Sequence, residues 1–303
     1  MRTYTRISGN ASGLARDARQ LLRIRSADVA GDVRTAVDLV SRVEVAYADA
    51  CGTALRNRDV LVVGAGQTPR EVIGFGANNR VIAIDLDVLP QGWRPGQYVR
   101  LLRVNGPGRA AKTVARKMLG IDRKFRRALM QEVGTNSVNA RYHQMDAAHM
   151  TFPAAAFDLT YSFSVFEHLP DPAEVLREAI RVLRPGALLY ISVHLYAAEG
   201  GCHDLRIFAG NRRDIPWWAH LRPAEAHLVH ESCYMNKWRL AAWEELFHAE
   251  CPGVELRFEP HHEAFDRTLR AALPGIRSNG ELLEYSDDEL LTVNLIARWR
   301  KPA

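Results

Sequence analysis

The stretch VVGAGQTPRE, residues 62–71, decides how the rest of the chain is read. It begins inside DVLVV (59–63), a short β-branched run of the kind that forms a parallel strand buried on both faces. Gly64 and Gly66 then form a Gly-x-Gly turn. Glycine at a strand end permits positive φ and lets a ligand approach the backbone. Thr68 and Pro69 stand where a third glycine would complete a dinucleotide fingerprint. They suit a helix start instead, with Thr68 as N-cap, Pro69 in the first turn and Glu71 closing a capping box. The next strand, RVIAID (80–85), ends in Asp85. An acid about twenty residues past the glycines can accept from both hydroxyls of an adenosine ribose.

Alternating strands and helices continue outward from there. FDLTYSFSV (157–165) and ALLYISVHL (187–195) read as strands, and DPAEVLREAIRVLRPG (171–186) as the helix between them. Asp171 is its expected N-cap, Pro172 its first residue and Glu174 its capping-box partner, with Val175, Leu176, Ala179 and Leu183 on the buried side and Pro185-Gly186 as the stop. LAAWEELFHA (240–249) reads as a short helix, and GVELRFEP (253–260) and ELLTVNLIARWRK (289–301) as the last strands. Residues 14–56 carry helical spacing. The expected fold is α/β: a Rossmann-like, doubly wound, seven-stranded, mostly parallel sheet with helices on both faces. A helical N-terminal cap (1–54) precedes a main domain (55–303), which carries insertions at 88–140 and 196–250.

The first insertion is strongly basic. Between Arg94 and Arg127 there are eleven Lys or Arg and one acid, Asp122, whereas the whole chain of 303 residues carries only +5. The remainder is therefore slightly acidic. A basic amphipathic helix or helix pair is expected, with Val114, Met118, Leu119, Phe125 and Leu129 on its apolar side. Such a segment serves as a solvated lid, as a binder of an anionic acceptor, or as a contact for an anionic membrane surface or nucleic acid. No aromatic-interleaved single-strand platform or recognised nucleic-acid motif accompanies it, so nucleic acid is not an expected partner.

An apolar fraction of 47% supports a buried core. No run of 18 apolar residues suggests a membrane span, and residues 1–20 lack the apolar core of a signal peptide. Cys51, Cys202, Cys233 and Cys251 form no C-x-x-C pair and read as free thiols of a cytoplasmic protein.

Four stretches in this order, VLVVGAGQTP (60–69), VIAIDLD (81–87), RYHQMDAAHMTFPAAAFDLTYSFSVFEHLPDP (141–172) and LREAIRVLRPGALLYISV (176–193), resemble the class I S-adenosylmethionine-dependent methyltransferases, in particular the broad small-molecule group. The resemblance implies S-adenosyl-L-methionine as cofactor. Gly64 and Gly66 would line its methionine part, with the following helix start facing its carboxylate. Asp85 would hold the ribose, Leu86 would lie against the adenine, and Asp146 would accept from the adenine amino group with Ala147 alongside. Ser162 and Phe163 would border the sulfonium, with Glu167 and His168 at the mouth of the site. Two departures stand out: Val62 replaces an acid frequent in the family, and the third glycine is absent.

Methyl transfer to an alcohol needs a base, and histidine titrates near neutrality. Of eleven histidines, three are well placed: His168 after the fourth strand, His194 near the end of the fifth, and His203 after the Gly-Gly of EGGCHDLR (199–206). His143, His149, His220, His227, His230 and His248 read as surface or packing residues. Asp204 could orient a histidine or help bind a divalent ion, but no ligand triad is readable and no metal is expected. Trp217 and Trp218 either stack on an acceptor ring or pack a long loop, and Arg206, Arg212, Arg213 and Arg222 could bind a carboxylate or phosphate. The segment SFSV (162–165) stands where many amino-group methyltransferases carry an N-P-P-Y-type tetrapeptide. The expected activity is methyl transfer to a small-molecule or glycan-like hydroxyl, with N-methylation and a non-catalytic cofactor- or glycan-binding partner as alternatives. Pro69 argues against a nicotinamide-dependent oxidoreductase.

Overall fold

A computed structural model describes residues 29–66, 70–90, 92–208, 210, 212 and 214–303. The expected capping residues Thr68 and Pro69, and the helical reading of 14–28, lie outside them.

Seven strands form one sheet: β1 (Asp59–Val63), β2 (Arg80–Asp85), β3 (Ala140–Gln144), β4 (Phe157–Phe163), β5 (Leu183–His194), β6 (Glu255–Pro260) and β7 (Thr292–Arg300). Their order is β3-β2-β1-β4-β5-β7-β6. The first five are parallel, and β7 runs antiparallel between β5 and β6. The order reverses between β1 and β4, so their carboxyl ends open the crevice in which such folds bind ligands.

The apolar runs are continuous because both sheet faces are covered. In β1, Leu61 and Val63 enter one core cluster and Val60 and Val62 the other. β5 divides the same way, with Leu189, Ile191 and Val193 against Leu188 and Tyr190. Helices α1 (Ala30–Cys51) and α2 (Arg70–Gly76) cover the second face through Val40, Val43, Tyr47, Val72 and Phe75.

The basic insertion holds three helices, α3 (Pro95–Asn105), α4 (Pro107–Met118) and α5 (Ile121–Glu132), the last two forming the helix pair expected over residues 110–133. Gly106 (φ 81°) and Gly120 (φ 68°) separate them. The break at Gly120 rephases the apolar stripe. Phe125 and Leu129 are buried with Val33, Ala36 and Ile73, whereas Met118, expected on the same side, is 74% exposed.

Helix α6 (Pro172–Val182) begins as expected, with the Asp171 carboxylate accepting from the Glu174 amide at 3.0 Å. It ends earlier than expected. β5 starts at Leu183, and Pro185-Gly186 lie inside it, where the pairing with β4 shifts register. After α7 (Leu205–Phe208) and α8 (Leu240–Glu250), the sequence reading missed α9 (Glu263–Ser278). The first residues of the expected last strand are instead α10 (Asp287–Leu291), started by a Ser286–Glu289 capping box. No helix among the described residues is long and apolar enough to cross a membrane.

Candidate active site

The turn after β1 is fixed from below and open above. The Gly64 and Ala65 amides both donate to the Ile84 carbonyl, at 2.9 and 3.2 Å. Gly64 has φ 77°, and a Cβ there would lie 2.2 Å from a Val165 methyl. Only glycine lets this turn nest against the segment after β4. At Gly66 (φ 62°) a Cβ would meet none of the described residues within 4 Å, which leaves the backbone open to a ligand on their side.

Asp85 closes the other side. Its Oδ2 accepts from the Gly66 amide at 2.9 Å and its Oδ1 from the Asp87 amide at 2.8 Å. A carboxylate offers about four acceptor sites, so two remain for hydroxyl donors. Burial pushes the Asp85 carboxyl above its usual range, opposed by those amides and by the Arg109 charge. Bound hydroxyls would favour the ionised form further. The open backbone at Gly66 and the spare capacity of Asp85 fit the ribose and methionine parts of S-adenosylmethionine.

The other residues expected at the cofactor surround this crevice. Leu86 follows Asp85, and its carbonyl accepts from the Gln144 side chain at 3.2 Å, tying the β2 and β3 ends together. Asp146 accepts from the Ala148 amide at 3.0 Å, shaping the turn after β3, and Ala147 packs on the core. The buried Ser162 hydroxyl donates to the Val63 carbonyl at 3.1 Å, locking the β1 and β4 ends together beside half-buried Phe163. Asp85→Ala should weaken S-adenosylhomocysteine binding by about 1–3 kcal/mol through lost charge-assisted hydrogen bonds. Calorimetry on the folded variant checks this, and unchanged affinity removes Asp85 from the site.

The three histidines singled out in the sequence converge. A 3-10 turn after β4 carries Glu167 and His168, β5 ends at His194, and the β4–β5 pairing sets those ends side by side. The Gly-Gly turn brings in His203. A Cβ on Gly201 would lie 2.3 Å from the Leu195 and Tyr196 carbonyls, and His203 itself takes φ 54°. The turn is thus a tightly packed fixture rather than a hinge. The His203 ring centroid lies 4.9 Å from that of His168 and 4.8 Å from that of His194.

Two further residues join them. Glu167 is 1% exposed, and neither carboxylate oxygen has a hydrogen-bond partner among the described residues. Cys233, read from the sequence only as a free thiol, places Sγ 3.7 Å from Nδ1 of both His168 and His203. Burial pushes Glu167 up to about 8, against the pull of the Glu167 and His194 amides. Burial and the neighbouring histidines push His194 down to about 4 and His203 to about 2. His168 is lowered by burial, opposed by its contact with the Tyr234 carbonyl at 2.9 Å. Neutral imidazole is the form that accepts a proton or binds a metal.

Other expectations resolve into structural roles. Asp204 orients no histidine ring. It accepts from the Arg206 guanidinium at 2.6 Å and the His230 amide at 2.8 Å. Trp218 is fully buried and donates to the Leu290 carbonyl at 3.3 Å. Trp217 lies under the Arg212 guanidinium, 3.6 Å from its centre, so both tryptophans serve packing. Arg212 pairs with Glu199 at 2.8 Å and Arg222 with Glu281 at 2.7 Å, while Arg213 lies outside the described residues.

Cavities lie in or beneath both insertions. One, of about 450 Å³, is lined by Tyr196, His220, Glu231 and Lys237 in the second insertion. The other, of about 870 Å³, runs from Gly66 beneath the basic helices and is lined by Trp93, Arg94, Arg123, Arg126 and Arg141 among others. Arg109 of α4 pairs with Asp87, and its charge reaches both Asp85 and Cys233. The basic segment therefore borders the crevice from the ribose side to the histidines.

Segments of the chain are similar to known proteins. A family model described as a methyltransferase domain matches residues 102–191. A probable S-adenosylmethionine-dependent methyltransferase of Mycolicibacterium smegmatis is 36% identical over 84 residues, covering 26% of this chain and 30% of that protein. The 27-O-demethylrifamycin SV methyltransferase of Amycolatopsis mediterranei is 40% identical over 48 residues, covering 16% of this chain and 18% of that protein. The chain thus spans less than a third of these relatives' lengths. Among solved structures, the YcgJ protein of Bacillus subtilis aligns with TM-score 0.41 and 17% identity over 89% of this chain and 99% of that one. The sheet order and the family match define a class I methyltransferase fold. Over these segments the chain is similar to S-adenosylmethionine-dependent methyltransferases.

Proposed function

We propose that the chain methylates a hydroxyl of a small-molecule or glycan-like acceptor, with His168 as the base. The observation that carries this is the placement of His168 on the rim that abuts the glycine turn through Val165. With Nδ1–H donating to the Tyr234 carbonyl at 2.9 Å, the lone pair falls on Nε2. The side chain is 27% exposed, so an acceptor can reach that nitrogen.

Bound S-adenosylmethionine supplies a methyl group already activated by its sulfonium. Gly66 and Asp85 bind and orient the donor, while the fixed turn at Gly64 keeps it in line with the acceptor. The acceptor oxygen forms the new C–O bond as the C–S bond breaks. The electron pair of that bond stays on sulfur, and the hydroxyl proton passes to His168 Nε2.

The polar cavity by Tyr196, Glu231 and Lys237 suits a hydroxyl-rich body. The arginines of the larger cavity favour an anionic group on the acceptor. The Amycolatopsis relative, named for an O-demethyl compound, fits the preference for oxygen. The test is methyl transfer and S-adenosylhomocysteine release across matched panels of hydroxyl and amine acceptors, with and without a phosphate. Transfer to a hydroxyl is expected. Methylated amines alone, or tight cofactor binding with no turnover on either panel, would overturn the reading.

A further inference from the structure

The densest unexplained chemistry in the fold is the set of unpartnered atoms behind His168. Glu167 Oε1 and Oε2, His194 Nε2 and His203 Nε2 are all buried with no hydrogen-bond partner among the described residues. Leaving one such group unsatisfied is destabilising. Here they converge, because one ligand atom each of Glu167, His194 and His203 lies within 4.8 Å of the other two. In each neutral ring the nitrogen without a proton is an acceptor, as are the carboxylate oxygens, and what these atoms share is affinity for a cation.

We propose that Glu167, His194 and His203 hold a divalent first-row transition-metal ion. Two histidines and one carboxylate form a recurrent set for zinc or iron with positions left open, whereas magnesium and calcium prefer all-oxygen sites. Ligands about 2.0–2.2 Å from such an ion stand roughly 3.3 Å apart, so small side-chain rotations close the site. Outer contacts support the assignment. His203 Nδ1 faces Cys233 Sγ at 3.7 Å, so its Nε2 is the nitrogen left for an ion. His168 is left out of the set because Tyr234 holds its Nδ1 and its exposed edge faces the acceptor side. That leaves His168 for the substrate proton. The rigid Gly200-Gly201 turn and the left-handed backbone of His203 place a ligand from a distant segment at this spot.

The ion's role, making a nearby acceptor hydroxyl more acidic, rests on the acceptor reading given above. Its binding does not. The full chain without a histidine tag, stripped with a chelator, is titrated with Co²⁺ alone and followed by its visible ligand-field absorption. Saturation at one ion per chain is expected, with a rise in melting temperature. Glu167→Gln, His194→Gln and His203→Gln should each weaken binding by more than about tenfold, and the exposed His248→Gln should not. S-adenosylhomocysteine binding shows which variants remain folded, and a ligand variant that fails to fold is replaced by one of the other two. Absence of the absorption, or its persistence in folded variants of all three ligands, would overturn the site. Methyl transfer is scored separately. Cobalt binding without turnover on any acceptor leaves the metal site standing and removes the hydroxyl reading. Turnover that survives chelation, in a chain that binds no cobalt, removes the metal site alone.

Discussion

His168→Gln should lower methyl transfer by about 10²–10⁴-fold, the usual contribution of a positioned general base. Affinity for S-adenosylhomocysteine should stay within a factor of about two, because no cofactor contact is assigned to His168. Glutamine keeps a polar group near the Tyr234 carbonyl, which His168 Nδ1 now meets at 2.9 Å, so the 3-10 turn is expected to hold. The measurement is single-turnover transfer to a hydroxyl acceptor, with cofactor affinity from calorimetry on the same sample. A loss confined to cofactor affinity would place His168 on the donor side. Full activity would return the base role to His203 or His194. If the metal site exists, His168→Gln should retain cobalt while His203→Gln loses it, so the two roles separate.

What could be read from sequence was what the chain encodes locally. The β1 run, its two glycines and Asp85 lie within 27 residues, and each obeys a rule of strand, turn or capping chemistry. The histidine cluster obeys no such local rule. Glu167, His194, His203 and Cys233 are separated by 27, 9 and 30 positions, and they meet because β4 pairs with β5 and one glycine turn folds back. Sequence order nominated all three histidines individually, since each follows a strand end or a glycine pair. It could not show that Glu167 lies behind them without a partner, or that Cys233 faces two of the rings. The adjacent tryptophans make the same point. Trp218 takes φ 50°, which turns it into the core with Leu269 and Leu290, whereas Trp217 stays outside under Arg212. A single glycine likewise separated Met118 from the stripe to which its spacing assigned it, because Gly120 ends one helix and starts another.

Gly64→Ala should lower both stability and cofactor affinity, and the two effects have different causes. A left-handed backbone at φ 77° costs an L-residue about 1–2 kcal/mol. The new methyl would also lie 2.2 Å from one Val165 methyl and 2.9 Å from the other, so the segment before Glu167 must shift. Overpacking of this kind costs about 1–3 kcal/mol, giving a total of roughly 2–5 kcal/mol. Val165→Ala in the same chain removes the opposing methyls and should recover the steric part while leaving the backbone part. A double-mutant cycle by denaturant unfolding separates them, with a coupling of about 1–3 kcal/mol expected. Gly66→Ala is the comparison. Its φ of 62° carries the same backbone penalty, but its Cβ meets none of the described residues within 4 Å, so Val165→Ala should not rescue it. Its cofactor affinity should still fall, because the methyl occupies space the donor needs. If Val165→Ala recovers turnover together with stability in the Gly64→Ala chain, the turn acts on the rim carrying Glu167 and His168 through that contact. If stability returns and turnover does not, the left-handed turn itself is what the donor requires.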